Sequence, residues 1–236
     1  RKLIAMAKKE NYVRIIFPYL YHKIEEIEKK FIKDITPVNG QPKTNVYDCN
    51  EGYGLIKYKT DRFGLRNEDE VWDQLNFTNK EKILFIGDSF VQGACVQKQH
   101  VISNNLKDFH NINLGSSGND PYTYASLSEL FIPVVKPKYV VLIFYANDNS
   151  PDGKIFLRNL KIKNIHERYF KNNNSSIELS DELAEIINNV EKYILSVSKN
   201  HIPGARPNTF KRAIRYLSLP TFRKTLSGIF QQTFFS

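Results

Sequence analysis

Three apolar runs in this 236-residue chain each end in a polar cluster that contains groups suited to acyl chemistry. The clusters contain Ser89, Gly118 and Asn147, in that order along the chain. A serine hydroxyl can attack an acyl carbonyl, and N–H donors can stabilise the oxyanion that forms. Ser89 offers a hydroxyl and a backbone N–H, Gly118 a second backbone N–H, and Asn147 a carboxamide. If the clusters meet in space, they predict an acyl-transfer half-site that lacks only its base.

Short apolar runs that end at turn-forming residues are typical of strands in a parallel sheet. The runs predict strands at residues 82–86, 111–114 and 139–144. Strands that alternate with helices favour an α/β fold with a parallel sheet between helices. The carboxyl ends of parallel strands lie along one edge, so this fold places the three polar clusters side by side.

Helix signals occur between these strands and on both sides of them. Residues 2–33 and 96–109 show helical patterns, and Asp120 and Pro121 predict a helix that continues over residues 122–132 and closes at Pro133. Ser180 predicts the start of a later helix. The irregular stretch at residues 34–58 predicts loops or short strands. We therefore predict an N-terminal helical and loop extension at residues 1–75 and an α/β domain at residues 76–236.

Composition excludes several other classes of protein. Hydrophobic residues make up 41% of the chain and charged residues 25%, which is typical of a globular domain with a core. Cys49 and Cys95 form neither a disulfide framework nor a metal-binding spacing. The sequence contains no run of about 18 apolar residues, so it predicts no transmembrane helix.

The net charge of +9 comes largely from the C-terminal region. No acidic residue follows Glu191, whereas eight basic residues do: Lys192, Lys199, Arg206, Lys211, Arg212, Arg215, Arg223 and Lys224. This excess favours either solvated helix faces or a surface for an anionic glycan or a membrane. No nucleic-acid-binding motif accompanies the charge, so we expect no nucleic-acid partner.

The three clusters resemble the blocks of the SGNH (GDSL-type) hydrolases, a family named for serine, glycine, asparagine and histidine. Gly-Asp-Ser-Phe at residues 87–90 is similar to the first block, residues 113–118 to the second, and Asn-Asp at residues 147–148 to the third. The resemblance implies a three-layer α/β/α fold with a flavodoxin-like sheet. It also implies that Ser89 is the nucleophile, that Gly118 and Asn147 complete the oxyanion hole, and that no metal or organic cofactor is required.

A segment before the serine block narrows the expected substrate. Residues 60–67, Thr-Asp-Arg-Phe-Gly-Leu-Arg-Asn, are similar to a segment of bacterial family members that act on envelope polysaccharides. The resemblance therefore implies a serine esterase that hydrolyses O-acyl groups, above all acetyl esters, on an acylated polysaccharide or small molecule. It is consistent with a bacterial envelope or cytoplasmic location.

The chain departs from the family pattern in two ways. Tyr145 and Ala146 precede Asn147 where the family usually has glycine, and no Asp-x-x-His block, which supplies the family's base, is present. The five histidines have the wrong context for that block and are expected at the surface: His22, His100, His110, His166 and His201.

These departures, with a start at Arg1, predict a chain clipped at both ends and largely inactive by itself. Two alternatives use the same residues. An O-acyltransferase would pass the acyl group to a sugar hydroxyl, and an inactive SGNH-fold module would bind a glycan or a partner protein.

Overall fold

The computed structural model describes residues 13–14, 29–32, 34–38, 40–48, 55–145, 148, 152–173 and 176–200. By its internal contacts the chain forms two compact units, Arg1–Glu191 and Lys192–Ser236. The sheets and the candidate site belong to the first unit. The boundary expected near residue 75 stays a prediction.

A small sheet precedes the α/β part of the chain. Its strands are β1 (Val13–Arg14), β2 (Asn45–Tyr47) and β3 (Lys57–Lys59); β1 pairs parallel to β2, and β2 pairs antiparallel to β3. The prediction of helix over residues 2–33 is therefore wrong at β1, although residues 29–31 are helical. Pairing with the distant β2 determines the conformation of these two residues, and a local pattern does not reveal such pairing.

The central sheet of the described residues contains the three predicted strands. They are β4 (Lys82–Ile86), β5 (His110–Asn113) and β6 (Tyr139–Leu142), arranged in the order β5-β4-β6 with all neighbours parallel. This arrangement confirms the prediction of an α/β fold with a parallel sheet. β4 is buried because it lies between the other two strands. β6 is largely exposed, whereas β5, at the other edge of the described sheet, is mostly buried.

The segments around and between the strands agree only in part with the helices that the sequence predicts. α1 (Glu70–Asp73) and a 3₁₀ turn (Gln74–Asn76) precede β4, and α2 (Ser89–Gln92) follows it. The predicted helix at residues 96–109 is wrong, since only two short 3₁₀ turns form there, Lys98–His100 and Ile102–Asn105. The side chains of Asn104 and Asn105 donate to backbone carbonyls in this stretch, and such local bonds compete with helix formation.

The helix between β5 and β6 begins as predicted and ends later. α3 spans Pro121–Val135, and the Asp120 side chain caps it by accepting from the Thr123 N–H at 3.0 Å. Pro133 does not close this helix but lies in its last turn. The helix ends at Lys136, which has a left-handed φ of 50° and donates its N–H to the Ile132 carbonyl.

The remaining described elements follow β6 along the chain. They are a 3₁₀ helix (Asp152–Lys161), α4 (Ile165–Tyr169), a hairpin of β7 (Phe170–Asn173) and β8 (Ser176–Leu179), and α5 (Asp181–Asn200). Ser180 caps α5 as predicted, because its hydroxyl accepts from the Leu183 N–H at 3.3 Å. A buried aromatic cluster joins the loop before α1 to α3 and β7: Phe63, Trp72, Phe131 and Phe170.

Candidate functional site

Ser89 lies at the carboxyl end of β4, where it is the first residue of α2. Asp88 caps this short helix through Oδ1, which accepts from the Phe90 N–H at 2.9 Å. The other carboxylate oxygen, Oδ2, lies 3.4 Å from the Ser89 hydroxyl. Ser89 itself is only partly buried. The turn therefore presents the hydroxyl at the sheet edge expected to bind ligands in a parallel α/β fold.

The end of β5 lies against the start of α2. Around the Gly87 carbonyl, Ser116 donates its backbone N–H at 3.3 Å and Asn119 its side-chain amide at 3.2 Å. Gly115 lies directly against the backbone of α2, because a Cβ at that position would lie 2.2 Å from the backbone nitrogen of Gln92. A side chain there would push the loop away from α2. The second polar cluster thus meets the first.

Gly118 occupies the third position of a tight turn over residues 116–119. The Asn119 N–H donates to the Ser116 carbonyl at 3.0 Å and closes the turn. The φ of Gly118 is +86°, a value typical of the third residue of a type II turn and unfavourable for residues with a Cβ. The sequence therefore needs glycine here for backbone reasons that are independent of any role in catalysis.

The end of β6 approaches the same edge. Asp148 closes a local turn, since its Oδ2 accepts from the Tyr145 N–H at 2.7 Å and its own N–H donates to the Tyr145 carbonyl at 3.0 Å. The Phe90 and Tyr145 rings stack with centroids 4.3 Å apart. This contact brings the third strand end to the residue next to Ser89. Asn147 lies outside the described residues, so its predicted role stays a prediction.

Tyr124 connects the second and third strand ends from α3. Its hydroxyl lies 2.9 Å from Asp148 Oδ2 and 3.4 Å from the Asn119 carbonyl. Burial raises the pKa of Tyr124, and the carboxylates of Asp148, Asp88 and Asp120 raise it further. Tyr124 therefore stays neutral, and its hydroxyl donates a hydrogen bond to the Asp148 carboxylate.

Two buried acceptors beside this tyrosine have no hydrogen-bond partner in the part of the chain that the structure describes. They are Asn119 Oδ1 and Asp148 Oδ1, on residues that are 3% and 4% exposed. Buried acceptors are nearly always paired in folded proteins. Within the described residues, the edge next to Ser89 therefore retains two buried acceptors that no described donor satisfies.

The three described histidines do not hydrogen-bond to Ser89. The His110 ring contacts the Val71 carbonyl at 2.9 Å, at the amino end of β5, and burial lowers its pKa. His110 is 7% exposed, so the expectation that it lies at the surface is wrong. His100 is exposed, and His166 is half-buried with Nδ1 unpaired. His22 and His201 lie outside the described residues.

The segment before the serine block forms a buried polar loop, which we call the Asp61 loop (residues 60–67). The Asp61 carboxylate accepts from two backbone N–H groups within the loop and from the side chains of Asn67 and Trp72, at 2.8–2.9 Å. Asn67 also exchanges two hydrogen bonds with the backbone of Asn113, at 2.8 and 2.9 Å. The loop thereby holds the last residue of β5, just before the second polar cluster.

Some residues of the site escape sequence reasoning. Gln92 and Tyr58 form a partly buried hydrogen bond although they lie 34 positions apart, and no local pattern marks either residue. Cys95 is disulfide-bonded, so the prediction of no disulfide framework is wrong at this residue. The chain has one other cysteine, Cys49, which lies outside the described residues.

The described residues contain neither a metal-binding cluster nor a membrane-spanning helix. Comparisons with protein-family models, curated proteins and solved structures found no match. The resemblance to the SGNH hydrolases therefore depends on the residues of the three blocks.

Proposed function

We propose that this protein is a serine esterase of the SGNH type that hydrolyses O-acyl groups, above all acetyl esters, on a polysaccharide. The convergence of the three polar clusters carries the proposal. The Gly87 carbonyl binds the loop after β5, and Phe90, next to Ser89, stacks on Tyr145 after β6. A three-layer fold with a flavodoxin-like sheet belongs to this proposal, supported by the parallel order β5-β4-β6.

The roles follow from what each group offers. The Ser89 oxygen attacks the acyl carbonyl, and its proton passes to a histidine outside the described residues. The N–H groups of Ser89 and Gly118 and the carboxamide of Asn147 stabilise the oxyanion. The ester C–O bond then breaks, and the alcohol leaves with the proton from the histidine. In the second half, the histidine takes a proton from water, the water oxygen attacks the acyl-enzyme, and the Ser89 oxygen leaves with that proton.

The test compares the full-length wild-type protein with its Ser89→Ala variant on p-nitrophenyl acetate and on an acetylated polysaccharide. We expect Ser89→Ala to lower kcat/KM by at least about 10³-fold, because loss of the nucleophile disables the triad. Ser128→Ala is the matched control, since among the described residues the Ser128 hydroxyl bonds only to the Tyr124 carbonyl within α3. Its rates should equal those of the wild type.

The same assay separates the alternatives. Equal rates for wild type and Ser89→Ala overturn Ser89 as the nucleophile. Acyl transfer to an added sugar that outpaces hydrolysis, and that is lost in Ser89→Ala, identifies an acyltransferase. Saturable binding of the polysaccharide without turnover by the wild type identifies a binding module.

A further inference from the structure

We propose that Gln92 is a positioning residue that holds the oxyanion-forming turn of this esterase against the nucleophile helix. The inference rests on the proposed function. Gln92 is the last residue of α2, one helical turn after Ser89, and its side chain is buried. Its Oε1 accepts from the Ser117 N–H at 2.7 Å and from the Ser117 hydroxyl at 2.6 Å. One side chain on the nucleophile helix therefore binds the residue before Gly118 through two hydrogen bonds.

The orientation of the Gln92 amide follows from its partners. A backbone N–H can only donate, so the atom that faces Ser117 must be the oxygen. The amide nitrogen then faces the Tyr58 hydroxyl at 2.8 Å and donates to it. Burial, with the nearby charge of Asp48, raises the pKa of Tyr58, so its hydroxyl stays neutral and can accept this bond.

Tyr58 is itself held by Arg66 of the Asp61 loop. The Arg66 guanidinium lies over the Tyr58 ring, 4.4 Å from its centroid. Its Nη2 donates to the Val96 carbonyl at 2.8 Å, and its Nη1 donates to the carbonyl of Gly93, the residue that ends α2. Gln92 therefore connects the turn to Tyr58, and Tyr58 contacts Arg66. Arg66 in turn binds the backbone at the end of the nucleophile helix.

This geometry controls the part of the site that acts in the transition state. The peptide between Ser117 and Gly118 is the central peptide of the turn, so its orientation sets the direction of the Gly118 N–H. Gln92 fixes one side of the turn, and the Asn119 side chain fixes the other through the Gly87 carbonyl. Without Gln92, the turn can shift while the Ser89 hydroxyl stays in place. The oxyanion donor is then misaligned, although the substrate still binds.

The test measures kcat and KM for p-nitrophenyl acetate in the wild type, Gln92→Met and Gln92→Glu. Methionine fills a similar volume but accepts no strong hydrogen bond, so we expect kcat to fall about 10- to 100-fold with KM within twofold. Glutamate keeps the acceptors for Ser117, and the Tyr58 hydroxyl can turn to donate to it. Gln92→Glu should therefore retain at least about a third of the wild-type kcat.

Two milder variants cover the case in which Gln92→Met does not fold. Tyr58→Phe removes the acceptor for the Gln92 amide but keeps the ring under Arg66, and Ser117→Ala removes one of the two bonds to Oε1. Each should lower kcat about two- to tenfold with KM unchanged, since each loses one hydrogen bond.

The outcomes distinguish this inference from the proposed function. If the wild type is active and the folded variants match its kcat, or if KM alone changes, Gln92 has no positioning role. The inference is also overturned if Gln92→Glu is as impaired as Gln92→Met, because that result indicates loss of packing alone. If the wild type neither hydrolyses the ester nor reacts with a fluorophosphonate at Ser89, the proposed function fails and the inference fails with it.

Discussion

Two polar regions of this molecule differ in how completely their buried groups are paired. In the Asp61 loop, the Asp61 carboxylate accepts four hydrogen bonds. The buried Arg62 guanidinium contacts the carboxylates of Asp69, Asp73 and Glu178 at 2.8–3.2 Å. These bonds and charges raise the pKa of Arg62 although burial opposes them, so the guanidinium stays charged.

The second region is the edge around Ser89, which we call the serine edge (residues 87–90, 115–119, 143–145 and 148). Here Asn119 and Asp148 each keep one buried acceptor without a partner in the described residues. Phe90 and Tyr145 are 50% and 53% exposed although they stack on each other. A saturated network stabilises a conformation, whereas unused acceptors and exposed rings leave capacity for a ligand. The comparison predicts a positioning role for the loop and, on the proposed function, substrate binding at the edge.

Separate removal of the Asp61 and Asp148 carboxylates, one in each region, gives the largest expected difference in the free energy of unfolding. Asp61→Ala leaves four donors without their acceptor and should lower the free energy of unfolding by about 4 kcal/mol. Among the described residues, Asp148→Ala removes the acceptor of two donors, the Tyr145 N–H and the Tyr124 hydroxyl, and should cost about 1.5 kcal/mol. Urea denaturation measures both, with exposed Asp108→Ala as the control. Equal costs for Asp61→Ala and Asp148→Ala would remove the distinction between the two regions.

The pH dependence of stability offers a second contrast. Burial raises the pKa of Asp61 to about 6 despite its four donors, whereas an unfolded aspartate titrates near 4. The folded state thus holds this proton more tightly, so the contribution of Asp61 to stability is fully present below pH 4. It is lost as the pH rises through 6, with a total change of about 3 kcal/mol.

Asp61→Asn isolates this contribution. Between pH 4 and 6, the free energy of unfolding should rise more steeply, or fall less steeply, with pH in Asp61→Asn than in the wild type. Arg62 lowers the pKa of Asp69 and Asp73, which gives the opposite pH dependence, but both proteins share that contribution. Urea titrations at several pH values measure the difference. Parallel curves would show that Asp61 titrates normally.

The sequence predicts those parts of both regions that depend on local signals. β4 and β5 follow from apolar runs, and the starts of α3 and α5 follow from the caps at Asp120 and Ser180. Parallel pairing of the strands then brings Ser89 and Gly118 to the same edge of the sheet. Such signals are short, and tertiary packing has not overridden them here.

The parts that sequence reasoning misses depend on distant partners. β1 forms because it pairs with β2, and the 3₁₀ turns after α2 replace a predicted helix where asparagine side chains bind the backbone. The bonds of Gln92 join residues 25 and 34 positions away, which periodicity does not reveal. Pairing of buried polar groups is a property of the fold, so it becomes visible only in three dimensions.

Substitution of Gly118 tests the backbone of the serine edge at a smaller scale. At a φ of +86°, Gly118→Ala should cost about 1 kcal/mol in stability and, on the proposed function, lower kcat, because the turn must relax to accommodate a Cβ. Gly118→Asn should be less harmful, since asparagine tolerates positive φ better than alanine does. Denaturation and esterase kinetics measure both effects. If alanine and asparagine behave alike, backbone strain does not set the position of this turn.

The smallest expected effect on stability concerns the exposed rings. Tyr145→Ala should lower the free energy of unfolding by only about 0.5 kcal/mol, because the ring is already half in water in the folded state. On the proposed function, the ring contacts the substrate, so kcat/KM for acetylated polysaccharide should fall about two- to tenfold. Phe77→Ala is the matched control, as Phe77 is 71% exposed and lies before the amino end of β4. Equal kcat/KM values for the two variants would indicate that an exposed ring at the serine edge does not by itself mark a binding surface.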